Sequence, residues 1–139
     1  MQKKNLLTFI LCVFVVGVFF LINSTSLFYA FNGKNEVYLR YNSSNAEIVS
    51  VKKEKVKDYI VKKGEAVFIE GEKLSPIDLL KTFNAKLVFI EKTKEGVSYY
   101  AYSMDVKYLK MIKGERINLH IFIGEKGTKI GSPIIYGSF

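Results

Sequence analysis

One histidine, His120, and one strand crowded with tyrosines, Tyr99, Tyr100 and Tyr102, are the side chains of this sequence best suited to chemistry or recognition. An imidazole titrates near neutral pH and can move a proton, but acid–base or nucleophilic work needs a partner beside it. Two residues before His120, on the same strand face, stands Asn118, which is no nucleophile. Ser98, Ser103 and Ser132 have no motif around them, so no Ser–His–Asp triad is legible. Metal ligation has as little to work with: one His, one Cys (Cys12), and the aspartates Asp58, Asp78 and Asp105 without calcium-loop spacing. Gly124, Gly127 and Gly131 fall between strands, which makes them turn residues rather than a phosphate cradle. Glu91, Glu95 and Glu115 carry no sign of being a working carboxylate pair. The sequence implies no cofactor.

Recognition is better supplied. Alternation along residues 97–103 puts Tyr100 and Tyr102 on one face and Tyr99 on the other. Tyrosines exposed beside lysines suit a ligand or partner; turned inward they are core. Residues 52–63 hold Lys52, Lys53, Lys55, Lys57, Lys62 and Lys63 interleaved with Val56, Tyr59 and Val61. These lysines align on no single face, so the run reads either as a solvated stretch or as a contact for an anionic surface. The formal charge is +8, and all but two of those charges fall after residue 33. Such a balance attracts polyanions, although a lysine-rich composition alone produces it too. Lysine outnumbers arginine heavily, which favours solvated charge over bidentate phosphate recognition.

The elements that would position these residues are short. Residues 36–41 and 46–51 alternate as strands around the turn cluster 42–45 and form a hairpin. Asn42-Ser43-Ser44 inside that turn matches a glycosylation sequon by chance. Residues 65–70 are strand-like. Ser75-Pro76-Ile77-Asp78 starts a helix, with Ser75 as N-cap, Pro76 at the first position and Asp78 at the third; it runs to about Phe83. Strands follow at 86–91 and 97–103, and 104–113 fits neither period. Residues 117–123 form the most regular strand, with Ile117, Leu119, Ile121 and Ile123 on one face. Residues 128–130 and 133–136 finish the chain as short edge strands, because Pro133 cannot donate to a central ladder. This order predicts an α+β domain, a mostly antiparallel sheet with one short helix on one face.

The N-terminus is of another kind. Lys3 and Lys4 precede an uncharged apolar run from Leu6 through Phe14 to Ile22, and no charge follows until Lys34. As a helix this run spans roughly 26 Å at about 1.5 Å per residue, close to the roughly 30 Å of a bilayer core. It reads as a transmembrane signal anchor, or as a long signal peptide cleaved near Ser24-Thr25-Ser26 or Phe28-Tyr29-Ala30. Cys12 is a small apolar residue within it; Leu11 before it disfavours lipidation. The positive-inside rule sends later residues outward. Residues 1–33 are thus read as anchor or signal and linker, and residues 34–139 as an extracytoplasmic domain. Export excludes nucleic acid as a partner. It leaves the membrane through residues 6–22, and an envelope protein or anionic lipid or wall polymer beyond it. An envelope-acting enzyme without a recognisable motif is the alternative.

Phe83-Asn84-Ala85-Lys86, Tyr99-Tyr100-Ala101-Tyr102-Ser103, Ile117-Asn118-Leu119-His120-Ile121 and the tail from Gly131 to Phe139 carry a resemblance, over about residues 65–139, to the YwmB family of Firmicutes. The resemblance implies an exported or membrane-anchored protein of unassigned function, with a fold likened to the TATA-box-binding saddle. It implies no catalytic residue, and its DNA-binding name does not follow a domain placed outside the cell.

Overall fold

The computed structural model describes residues 2–24, 27, 28, 30–41, 46–50 and 62–137, with side chains for 6–19, 27, 28, 30–39 and 62–137. Helix α1 is Gln2–Ser24. Strands β1 (Lys34–Tyr41), β2 (Ala46–Ser50) and β3 (Gly64–Glu70) precede helix α2 (Pro76–Thr82). Strands β4 (Ala85–Lys92), β5 (Gly96–Ser103), β6 (Lys110–Ile112), β7 (Glu115–Ile117), β8 (Leu119–Gly124) and β9 (Gly127–Ser132) follow. Seven strands form one antiparallel sheet in the order β2-β1-β3-β9-β8-β5-β4, and β6 pairs with β7 in a separate hairpin. The chain is α+β, as the element order predicts.

Helix α2 forms where its capping signal lies. The Ser75 side chain accepts from the Asp78 amide at 3.3 Å, and Pro76 opens the first turn. Leu79 is the buried residue of the helix, and it packs with Phe83 against one face of the sheet. Alternate residues of the central strands supply that face: Val67 and Ile69, Ile130, Leu119 and Ile121, and Ala101. Phe28 joins them at 0% exposure, edge-to-face on Phe83 at 5.7 Å, and Phe31 stacks on Phe83 at 5.8 Å. The core thus takes in residues on the N-terminal side of the 33/34 boundary expected from composition. An electrostatic lock sits at the same place. The Leu27 amide donates to Glu65 at 2.8 Å, and Glu65 is itself buried against Lys62 at 2.9 Å.

Two sequence expectations need correction. Residues 128–130 are not an edge strand: β9 lies between β3 and β8, with Ile130 opposite both Val67 and Ile121. The constraint from Pro133 applies only past Ser132, where the strand has ended. Residues 133–136 are not a strand either; they turn back over the second face of the sheet. Gly131 permits this crossing, because a Cβ there would stand 2.7 Å from Ile135 Cγ1. Ile134 and Tyr136 then pack on Tyr38 and Ala66, with Tyr136 edge-to-face on Tyr38 at 5.2 Å.

The second correction is the regular strand 117–123, which divides at Asn118 into β7 and β8. The Asn118 side chain takes over backbone partners there. Its Oδ1 accepts from the Ser103 amide at 2.8 Å, and its Nδ2 donates to Ser103 O at 2.6 Å and Val106 O at 2.9 Å. Ser103 Oγ in turn donates to Phe83 O at 2.6 Å. A side-chain amide thus occupies both hydrogen-bonding positions of Ser103, and β7 is freed to pair with β6.

Among the described residues no helix is long and apolar enough to cross a membrane. The described side chains of α1 are those of residues 6–19. Those side chains are nonetheless exposed, Leu6 at 61% and Phe14 at 67% among them. The side chain of Ile22 lies outside the described set.

Replacing Asn118 by Ala strands three buried backbone groups. It should lower the unfolding free energy by about 3 kcal/mol, read by denaturant titration of tyrosine fluorescence, the chain having no Trp. Phe28→Ala should cost about 3–5 kcal/mol in the same titration; an unchanged midpoint would mean that residues before 34 add nothing to the core.

Candidate functional site

The second sheet face brings together the residues singled out for chemistry. Cross-strand pairing sets His120 of β8 opposite Tyr100 of β5, and Tyr100 opposite Phe89 of β4. The three rings form a stack, with centroids 4.3 Å apart for Tyr100–His120 and 4.5 Å for Phe89–Tyr100. Glu91 ends the row. It bonds to Lys113 at the tip of the β6–β7 hairpin, and Lys113 also lies over the Phe89 ring at 4.9 Å. Tyr100 interacts with Glu91 and Ser98 through its hydroxyl, and burial with the neighbouring carboxylate raises its pKa. Lys113 and Tyr100 together hold the Glu91 carboxyl below its ordinary range.

His120 is not presented to solvent. It is 4% exposed, and its Nδ1 accepts from the Ile135 amide of the returning tail at 3.1 Å. The proton of the neutral ring therefore sits on Nε2, which has no hydrogen-bond partner among the described residues. Burial depresses its pKa to about 3; nearby Glu91 opposes that and Lys129 adds to it. A neutral ring clamped between a tyrosine and a main-chain amide is a packing element in this conformation. Among the described residues no hydroxyl or thiol stands as a nucleophile within its hydrogen bonds.

The tyrosines divide as alternation predicts. Tyr99 lies opposite Ile121 and packs beside the core, whereas Tyr100 and Tyr102 share the other face. Arg116 of β7 covers the Tyr102 ring at 5.1 Å. The hairpin β6–β7 thus lies over part of the tyrosine face, so these rings serve to seat the hairpin. Lys52, Lys53, Lys55 and Lys57 lie outside the described residues. Lys62 of the same run is buried on Glu65.

A cavity of about 510 Å³ opens elsewhere, toward the sheet end carrying the turns at 93–95 and 125–126. Phe68 and Phe122 give it apolar walls, and Lys34, Lys94, Lys129, Glu36 and Glu95 rim it. Lys129 Nζ straddles the Glu36 carboxylate, 3.0 Å from Oε2 and 3.3 Å from Oε1, and Lys34 pairs with Glu70 at 2.6 Å. These pairs neutralise much of the rim. Sequence reasoning does not find them, because Glu36 and Lys129 are 93 positions apart. Among the described residues no group of His, Cys, Asp or Glu could hold a metal ion.

A second surface stands at the opposite end. Glu65 lies opposite Ser132, and Leu119 opposite Ala101, so β3 begins at the sheet end where β5 finishes. Leu27, on Glu65, and Met104, just past Ser103, therefore share one end. Met104 is 87% exposed and Met111 58%, interleaved with Lys107, Lys110 and Arg116. Composition alone does not mark this segment, since 104–113 follows no period.

No protein-family model, no curated protein and no solved structure matches this chain.

The burial of His120 has a sign that can be measured. Above its ordinary pKa near 6.5 the ring is neutral in folded and unfolded chains and pH has no effect through it. As pH falls below that value the unfolded chain takes up the proton and the folded one does not, until about pH 3. Stability should drop by about 2–3 kcal/mol between pH 6.5 and 4.5. His120→Asn, which retains an acceptor near the Ile135 amide, should flatten that slope in denaturant titrations. An unchanged slope would assign it to other groups.

Proposed function

We propose that this protein is a membrane-tethered, extracytoplasmic interaction domain whose tethered end meets an anionic surface. The observation that carries the reading is the junction. Helix α1 ends at Ser24 with its described apolar side chains exposed. Three residues later Leu27 is bonded to buried Glu65 and Phe28 is fully enclosed in the core. So short a connection keeps the domain close to whatever receives the helix. An apolar helix with no outward polar face fits a lipid environment, and the uncharged run continues to Ile22.

The end of the domain nearest that junction carries Met104 and its lysine neighbours. Apolar side chains among lysines suit the interface of an anionic bilayer, where each well-placed Lys contributes about 1 kcal/mol. Wall polymer or an envelope protein would meet the same basic surface, and the resemblance to the YwmB family is in keeping with this address.

Cys12, the lone cysteine, makes the tether testable. In intact cells it should resist a membrane-impermeant maleimide and react after detergent is added. Met104→Cys in a Cys12→Ser background should label in intact cells. Labelling of Cys12 without detergent, or of residue 104 only after lysis, would overturn the reading.

A further inference from the structure

The cavity walled by Phe68 and Phe122 lies at the sheet end away from Leu27 and Met104. Strand pairing places it there: Gly96, Gly124, Gly127 and Glu70 pair in a row at that end, whereas Glu65 pairs with Ser132 at the other. Two glycines shape its wall. A Cβ on Gly124 would stand 2.7 Å from Phe122 Cε1, and one on Gly96 2.8 Å from Phe122 Cζ. The Phe122 ring therefore lies down over the backbone of these glycines and is buried, while Phe68, across β9, stays half-buried. Lys129 stands opposite both rings in the ladder and shares their face. At about 510 Å³ the space falls in the range of small-molecule sites.

Groups of both signs surround this apolar wall. Lys129 is the only cation on Glu36 among the described residues, and a carboxylate offers about four acceptor positions. Oε2 of Glu36 is enclosed, and Oε1 accepts only a long bond of 3.3 Å. The Glu36 side chain nonetheless stays 25% exposed where it lines the cavity, which leaves room for a second ammonium. Lys94 and Lys126 stand at neighbouring hairpin tips. Both are exposed, and among the described residues neither enters an ion pair. Glu95 and Glu125 lie beside them, so the rim favours neither a bare anion nor a bare cation.

We infer that this cavity binds a short zwitterionic peptide with one large apolar side chain. That side chain lies between Phe68 and Phe122. The peptide's ammonium meets Glu36, and its carboxylate meets Lys94 or Lys126, both through charge-assisted hydrogen bonds. The ring walls supply contact area, and the two charged ends fix the direction in which the peptide lies. Because the cavity is at the end away from the tether, a bilayer at the other end leaves it open to soluble ligands. The binding itself does not depend on the tether.

Isothermal titration of the full chain in lipid nanodiscs tests this with the dipeptide phenylalanyl-alanine. Saturation is expected with a Kd at or below about 1 mM. The N-acetyl dipeptide lacks the ammonium, the dipeptide amide lacks the carboxylate, and alanyl-alanine lacks the large side chain. Each should bind about tenfold more weakly. Glu36→Gln should abolish the preference for the free amine over the N-acetyl form, a ratio that a partly unfolded sample leaves unchanged. Lys94→Glu combined with Lys126→Glu, both at exposed positions, should abolish the preference for the acid over the amide and keep the parent's unfolding midpoint. Phe68→Ala should weaken binding about tenfold. No binding of phenylalanyl-alanine up to about 10 mM overturns the inference, and so does equal binding of the dipeptide, its N-acetyl form and its amide. Binding that ignores Phe68→Ala and both charge changes overturns it too, since the peptide would then sit elsewhere. None of these results bears on the membrane reading, which the maleimide labelling tests separately.

Discussion

The ladder that sets β9 between β3 and β8 is the constraint on which the rest of this structure depends. The N-terminal hairpin with β3, and the strands from β4 to β8, are separate along the chain, and among the described strands β9 joins them into one sheet. Ile130 at its centre is 0% exposed between Val67 and Ile121. Each face of this strand carries its own layer. On one, Ile130 supports α2 and the Phe28–Phe83 contacts. On the other, Gly131 lets the last residues cross and close over His120.

Charge in the interior follows from the same arrangement. Glu65 is the second residue of β3, the strand beside β9, and its carboxylate accepts from the Leu27 amide while Lys62 neutralises it. A buried charge without such partners costs several kcal/mol, so these groups tie the residues after α1 to the sheet in one orientation. Glu36 and Lys129 make the corresponding pair on the second face. Lysines that composition would assign to solvent thus serve as internal counterions. Hence net charge overstates what the surface offers, and the total of +8 is not a measure of free surface charge.

The aromatic face illustrates how a strand can look like a site and be a scaffold. Tyr100 and His120 meet, but the ring stack, the Ile135 amide and the β6–β7 hairpin use up the surfaces through which they would act. Tyr102 is likewise spent on Arg116. The exposed chemistry lies elsewhere, at the Met104 segment and in the cavity beside Phe68. Neither place carries a motif that sequence reading finds.

Local rules determined a good deal. The N-cap at Ser75, the hairpin about residues 42–45, the turn at 125–126 and the division of Tyr99 from Tyr100 all follow from turn chemistry and a period of two, which act between near neighbours. The apolar run through Leu6 and Phe14 is equally plain, since hydropathy needs no partner. What only the tertiary structure decided depends on residues far apart. The breaking of 117–123 rests on an Asn118 amide that replaces a strand ladder at Ser103. The central place of β9 rests on β3, some sixty residues earlier; strand pairing favours neighbours in sequence, a preference that β8 satisfies and β3 does not. Phe28 joins the core because Phe83 and Glu65 wait for it. A lone histidine looks the same in sequence whether open or enclosed; the tail that buries His120 approaches only because Gly131 has no side chain to stop it.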